Sequence, residues 1–316
     1  MRISILGAGA IGCYLAARLH ASGADVQVIA RGATLDAIRR DGIRIEGQES
    51  LEARVPATTV DEAQLVDVLI SCVKAYAIPA LSDQLPKLVT SDGLWLCAVN
   101  GLPWWYGDQP LETVDPGGRI RARFPLERAA GCVAYLASAV VSPGVISFST
   151  GKGMIAGMAD GGSSPDLVEA AGVLSAAGIA TAVTGDIRSA VWNKLFGNVG
   201  LNPLSALTGL GADQLLADSE LKALLVETIT EAMAVANGEG IAVESDAARR
   251  VAFMARLGPF RTSMLQDADA ARPLELDAIL GSVLEVAARR NIEVPASRRL
   301  YDRVSAFARS RGLMPT

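Results

Sequence analysis

Met1-Arg2-Ile3-Ser4-Ile5-Leu6-Gly7-Ala8-Gly9-Ala10-Ile11-Gly12 opens the chain, and the reading of this stretch decides the architecture. Ile3, Ile5 and Leu6 make a short apolar strand that stops at a glycine, and a helical pattern begins at Ile11. Gly7, Gly9 and Gly12 therefore form a G-x-G-x-x-G run in the strand–turn–helix context that gives the motif its meaning. The first glycine permits the tight turn, the second lets a pyrophosphate approach the backbone, and the third lets helix pack on strand. The helix N-terminus then offers N–H groups and a positive dipole end to an anion. The spacing assigns Gly7, Gly9, Ala10, Ile11 and Gly12 to a dinucleotide phosphate site. The bland alternative is a glycine-rich turn that binds nothing.

Outward from this loop, strands at Asp25–Ala30, Val68–Val73 and Leu94–Val99 alternate with helices at Ile11–Ser22, Thr34–Arg40 and Ile78–Val89, with a shorter strand at Ile43–Glu46. That alternation is the mark of a parallel sheet with crossovers. From Gly131 it changes to a hairpin, Cys132–Val141 and Val145–Ser149 around Pro143-Gly144. A helix at Asp166–Ala177 and a strand at Ile179–Thr184 follow. Beyond Asp186 only helical period remains, at Ile187–Leu201, Ala212–Glu239, around Ser245–Arg256 and at Leu274–Arg290. The expected fold is α/β: an N-terminal Rossmann-type doubly wound sheet with appended antiparallel strands, then an all-helical C-terminal domain. Residues 1–184 form the dinucleotide-binding part and 185–316 the helical, substrate-binding part.

The end of the second strand selects the dinucleotide. Sites for NAD carry an acidic residue there for the ribose 2′-OH, whereas this chain reads Val28-Ile29-Ala30-Arg31-Gly32. The Arg31 guanidinium suits a 2′-phosphate, which favours NADP(H), against a solvated loop cation. Lys74 and Asn100 follow two further strands at the edge where such sheets bind ligands. Their plain readings are a surface cation and an Asn-Gly turn residue.

With 316 residues, net charge −5 and scattered basic residues, the chain offers no stripe for nucleic acid. Its apolar runs are too short for a membrane span, and its N-terminus lacks a secretory core, so a cytoplasmic location is expected. Cys13, Cys72, Cys97 and Cys132 form no CxxC pair and read as reduced core residues. With a single histidine, His20, on the first helix, no metal site is expected.

In Ile187-Arg188-Ser189-Ala190-Val191-Trp192-Asn193-Lys194-Leu195-Phe196-Gly197-Asn198-Val199-Gly200-Leu201-Asn202-Pro203, helical spacing puts Lys194, Asn198 and Asn202 on one stripe inside an apolar face. An ammonium and two amides are expensive in a dry core, so the stripe reads as one wall of a polar cavity. The alternative is a solvated helix side.

Gly7–Gly12 with Arg31, Val73-Lys74, Val99-Asn100-Gly101, Trp192-Asn193-Lys194-Leu195 through Asn198 to Asn202-Pro203-Leu204-Ser205, then Thr262-Ser263-Met264-Leu265-Gln266-Asp267 and Glu275-Leu276-Asp277, resembles the ketopantoate reductase family along essentially the whole chain. The resemblance implies NADPH-dependent reduction of a 2-keto acid to a 2-hydroxy acid in a cleft between the domains, within pantothenate biosynthesis when the acid is ketopantoate. It implies that Lys194 is the general acid and that Glu275 contacts the substrate hydroxyl and balances the lysine. Asn198 and Asn202 would bind polar groups of the substrate, Ser263 its carboxylate, and Asn100 both substrate and cofactor. The chemistry agrees, because hydride arrival at a ketone builds negative charge on oxygen that an ammonium stabilises and protonates.

The chain departs from the family pattern in Leu102-Pro103-Trp104-Trp105-Tyr106 and in a long polar insertion, Asp108–Pro125. The aromatics read either as the lining of a larger apolar pocket or as seam packing, and the insertion as a flap. The leading expectation is reduction of 2-dehydropantoate. The alternatives are the same chemistry on another branched or aromatic 2-keto acid, and a non-catalytic NADPH-binding sensor. Excess apolar residues on Ala212–Glu239 and Leu274–Arg290 make a homodimer a further expectation.

Overall fold

The computed structural model describes residues 1–243 and 246–315. The chain packs into two compact units, Met1–Val99 with Arg119–Ile187, and Asn100–Gly118 with Arg188–Thr316. The division expected after residue 184 lies near the passage from Ile187 to Arg188. The first half also sends residues 100–118 into the helical unit.

The sheet unit contains β1 (Arg2–Leu6), α1 (Ala10–Ala21), β2 (Asp25–Ile29), α2 (Gly32–Asp41), β3 (Ile43–Gly47), β4 (Leu51–Ala53), β5 (Ala57–Thr58), β6 (Val66–Ser71), β7 (Val89–Cys97), β8 (Ala129–Ser142), β9 (Val145–Met158), α3 (Pro165–Ala176) and β10 (Thr181–Val183). These strands form one sheet in the order β4-β3-β9-β8-β7-β6-β1-β2-β5, with β10 on β9. β1 lies between β2 and β6, parallel to both. Among the described residues only β3/β4 and β8/β9 pair antiparallel. The parallel strands are apolar on both faces, as strands covered by helices must be: Ile3, Ile5, Val28, Val68, Ile70 and Leu96 are fully buried in one core with Leu15 and Leu19 of α1. The sheet with its appended antiparallel strands is therefore as the alternation predicts.

One expected helix of this unit is absent. Ile78–Val89 is instead a series of short 3₁₀ turns at Ala75–Ala77, Pro79–Leu81 and Leu85–Lys87. Pro86 lacks the N–H that a continuous α-helix needs there and biases Leu85 away from the α region.

The helical unit contains α4 (Ile187–Asn198), α5 (Leu201–Thr208), α6 (Ala212–Ala217), α7 (Ser219–Gly238), α8 (Ala247–Ala255), α9 (Ser263–Asp269), a π-turn at Asp277–Gly281, α10 (Ser282–Arg289) and α11 (Pro295–Ser310). α4 is assigned from its first residue, Ile187, which packs with the sheet unit. Three expected helices are interrupted. The first breaks after Asn198, where a Cβ on Gly200 would lie 2.6 Å from Leu225 Cδ1, so the chain there fits tightly against α7. The second breaks at Asp218, whose carboxylate accepts from the N–H groups of Glu220 and Leu221 and starts α7 afresh. The third is broken by the π-turn. The helix expected around Ser245–Arg256 is α8, and Ser245 itself lies outside the described residues. α9 and α11 were not among the expected helices; Pro295 at the first turn of α11 is an ordinary start signal. Glu231 caps that helix, accepting from the N–H groups of Ala296 (2.8 Å) and Ser297 (2.7 Å). Among the described residues no helix is long and apolar enough to cross a membrane.

Candidate functional site

The candidate residues fall into two groups, one on each unit. On the sheet unit the glycine loop has the division of labour that the motif demands. Gly7 adopts φ +105, and a Cβ there would lie 2.7 Å from Val73 Cγ1. A Cβ on Gly12 would lie 1.8 Å from the Gly7 carbonyl oxygen. A Cβ on Gly9 would meet nothing within 4 Å, so the space in front of it is open. Gly9 is also the N-cap of α1, with no side-chain cap on the helix and no acidic residue in its first turn, which includes Ala10, Ile11 and Gly12. That combination leaves backbone donors for a phosphate.

The loop is pinned at both sides. The Gly7 N–H donates to the Ile29 carbonyl (3.0 Å) at the end of β2, and the Cys72 N–H donates to the Leu6 carbonyl (2.8 Å). Arg31 and Lys74, each two residues beyond these contacts, are thereby held near the loop. Arg31 is exposed, is itself the N-cap of α2, and has no acidic residue in the following turn. Cys13 and Cys97 are buried and Cys72 half-buried. Burial pushes the thiols of Cys13 and Cys97 up to about 12, and that of Cys72 higher still, which makes them inert core groups.

On the helical unit Lys194 and Asn198 stand one turn apart on α4, both half-buried. Asn202 belongs to α5 instead, where it is 4% exposed, so the continuous three-residue stripe is two residues on one helix and a third past a break. Ser263 is exposed at the first position of α9. Thr262 and Ser205 tie its helix to α5: the Leu265 N–H donates to Thr262 Oγ1, Thr262 and Ser205 hydroxyls meet at 2.5 Å, and Ser205 donates to the Asn202 carbonyl. Because Ser205 spends its proton on Asn202, Thr262 is the donor between the two hydroxyls. Sequence reasoning missed this relay, although Thr262 has the N-cap signature of a hydroxyl before a helix start.

Asn100 and Glu275 are two of the candidate residues that the structure joins directly. Asn100 belongs to the helical unit, and its Nδ2 donates to Glu275 Oε2 at 3.4 Å. Glu275 is 5% exposed. A buried carboxylate needs donors, and an amide supplies one while keeping a second N–H and an oxygen for another partner.

The segment that follows Asn100 is packed into the protein. Trp104, Trp105 and Tyr106 are at most 2% exposed. Tyr106 packs edge-on against Trp192, accepts from its Nε1 at 2.7 Å, and lies under the Arg188 guanidinium. Arg188 in turn pairs with Glu239 at 3.0 Å, which also takes Arg290. The insertion is packed rather than standing off as a flap: Leu111 and Val114 are buried, as are Ile120 and Phe124 on the sheet unit. Glu285 accepts from the Glu112 N–H (2.9 Å), the Thr113 N–H (3.0 Å) and the Thr113 hydroxyl (2.8 Å).

Burial works against the charged form of Glu285, yet these donors together with Arg289 hold its carboxyl below the usual range. A depressed carboxyl contributes stability above its unfolded value and loses it as pH falls through the folded one. Glu285→Gln is therefore expected to cost about 1 kcal/mol at neutral pH, a difference that closes in acid. Urea denaturation of both proteins across pH 3–7 checks this; a cost that does not vary with pH would exclude the carboxylate as its source.

Family models described as "Ketopantoate reductase PanE/ApbA" and "Ketopantoate reductase PanE/ApbA C terminal" match residues 3–161 and 186–308. A 2-dehydropantoate 2-reductase from Mesorhizobium japonicum is 36% identical over 323 residues, covering 99% of each chain. A crystal structure assigned to ketopantoate reductase, from Ralstonia solanacearum, superposes with TM-score 0.93 at 36% identity over 99% of each chain. D-mandelate dehydrogenase, in a ternary structure with NADH and anilino(oxo)acetate, shares the fold at TM-score 0.86 and 21% identity, over 99% of this chain and 100% of that one.

Proposed function

The chain belongs to the ketopantoate reductase family, oxidoreductases acting on a CH–OH group, and from that premise we propose that it reduces 2-dehydropantoate to pantoate with NADPH. The observation that carries this reading is the glycine loop: tight where a side chain would clash at Gly7 and Gly12, open where a pyrophosphate has to come close at Gly9. Those residues fit the cofactor, with the first turn of α1 taking the pyrophosphate. Arg31 at the uncapped start of α2 would hold the 2′-phosphate, and Lys74 and Asn100 would serve the nicotinamide part. When bound, the nicotinamide supplies the hydride.

The remaining work belongs to the helical unit. Lys194 donates a proton to the ketone oxygen as charge develops there, so the product leaves as an alcohol. Glu275, oriented by the Asn100 amide, receives the substrate hydroxyl. Asn198 and Asn202 bind the polar groups of the acid, and Ser263 binds its carboxylate. Trp104, Trp105 and Tyr106 are buried, and Tyr106 is engaged by Trp192 and Arg188, which supports packing as their role and a branched acid of ketopantoate size as the substrate.

NADPH and NADH oxidation against a panel of 2-keto acids tests the proposal, with 2-dehydropantoate expected to give the highest kcat/KM and NADPH to be preferred. Arg31→Asp is expected to lower that preference by about a hundredfold, the value of a charge-assisted phosphate contact. Selective turnover of another acid would replace the substrate. An NADH preference in the wild type would overturn the coenzyme assignment, and no turnover of any keto acid would leave only a nucleotide-binding protein.

A further inference from the structure

Ala278 and Gly101, far apart in sequence, meet backbone to backbone beside Glu275. In an α-helix the Ser282 N–H would donate to the Ala278 carbonyl four residues back. Here it donates to Asp277, five residues back, and the turn is π. The Ala278 carbonyl instead accepts from the Leu102 N–H at 3.0 Å and from the Ser282 hydroxyl at 2.6 Å. Gly101 lies against that carbonyl at φ +83; a Cβ there would stand 1.8 Å from Ala278 oxygen and 2.3 Å from Ala278 carbon. Only glycine permits both the backbone angle and the approach.

We infer that the π-turn 277–281 is a positioning device that sets the Asn100 amide against the Glu275 carboxylate, with Gly101 and Ser282 as its positioning residues. Glu275 lies three residues before the carbonyl that is turned out, and Asn100 lies two before the N–H that donates to it. Fixing one carbonyl therefore fixes both partners of the 3.4 Å contact. A regular helix would take the Ala278 carbonyl back for Ser282 and leave the Leu102 N–H without its acceptor. The extra residue of the π-turn thus has a use, in keeping with the frequent placement of such turns at functional sites. The inference deepens the proposed function and rests on its reading of Asn100 and Glu275 as groups that touch the substrate.

Two variants of the full chain test it. Gly101→Ala forces the segment off the carbonyl. It is expected to speed exchange of the Leu102 amide hydrogen at least about tenfold and to lower kcat about thirtyfold. Adding Asn100→Ala to it should cost no more than about another twofold, because residues acting as a unit are not additive. Ser282→Ala, a milder change that keeps the fold, should lower kcat about threefold with KM unmoved. Unchanged kcat in both folded variants, or full additivity with Asn100→Ala, would overturn the inference.

If the wild type reduces no 2-keto acid, the failure belongs to the functional reading, and stability decides the inference. A double-mutant cycle between Asn100→Ala and Glu275→Gln should show coupling in the wild-type background and none with Gly101→Ala. Equal coupling in both backgrounds would overturn it.

Discussion

Lys194→Ala is expected to lower kcat by about a thousandfold while NADPH binds within about twofold of wild type, the pattern of an interaction made only in the transition state. A thousandfold corresponds to about 4 kcal/mol, which is the scale of one well-placed charge at a developing oxyanion plus its proton. The reasoning starts from scarcity. The chain has one histidine, His20, and it belongs to α1 of the sheet unit, so the helical unit carries no imidazole of its own. Lys194 is half-buried on α4 one turn from Asn198, in the unit that also holds the Asn100–Glu275 pair. Lys194→Arg separates charge from proton transfer. A guanidinium keeps the charge but does not give up its proton, so kcat should stay at least about a hundredfold down. Single-turnover rates and fluorescence titration of NADPH make the measurement. An alanine variant with kcat within about tenfold of wild type would remove Lys194 from the chemistry.

What could be read from the sequence was what neighbouring residues decide. The strand Arg2–Leu6, the glycine turn and α1 are a local motif, and the hairpin around Pro143-Gly144 carries its own turn signal. The break between α4 and α5 is not local: Gly200 is there because Leu225 and Thr228 of α7 press on it, and periodicity from Ile187 onward runs straight through the position. The consequence reached the candidate site, because Asn202 moved from the stripe to a second helix. The packing of the insertion is hidden for the same reason. Polar residues such as Glu112 and Thr113 look solvated until Glu285, more than 170 residues on, takes their donors. The π-turn left no periodic signal either, since one extra residue only shifts the apolar pattern. The expected helix at Ile78–Val89 is a different case, because Pro79 and Pro86 were in plain view and outweigh the apolar spacing around them.

Gly9→Ala and Gly12→Ala should part ways, and their difference tests the cofactor site without reference to any substrate. At Gly12 the new methyl would lie 1.8 Å from the Gly7 carbonyl oxygen and 3.3 Å from Cys72 Cβ. Backbone cannot swing aside like a flexible side chain, so loop and helix must shift together. Gly12→Ala is therefore expected to lose about 2–3 kcal/mol of stability and at least a hundredfold in NADPH affinity. At Gly9 the backbone angles, φ −79 and ψ −168, suit any residue, and the methyl meets nothing within 4 Å. Gly9→Ala should melt within about 2 °C of wild type, yet bind NADPH at least about a hundredfold more weakly, because the only thing left for the methyl to strike is the incoming pyrophosphate. Gly172→Ala on α3, where a methyl also meets nothing, controls for the substitution itself and should be neutral or slightly stabilising. Thermal melts and NADPH titrations of the three variants supply the data. A Gly9→Ala protein that binds NADPH like wild type would mean that no phosphate approaches the loop at that point, and the phosphate site would have to be sought elsewhere on the sheet unit.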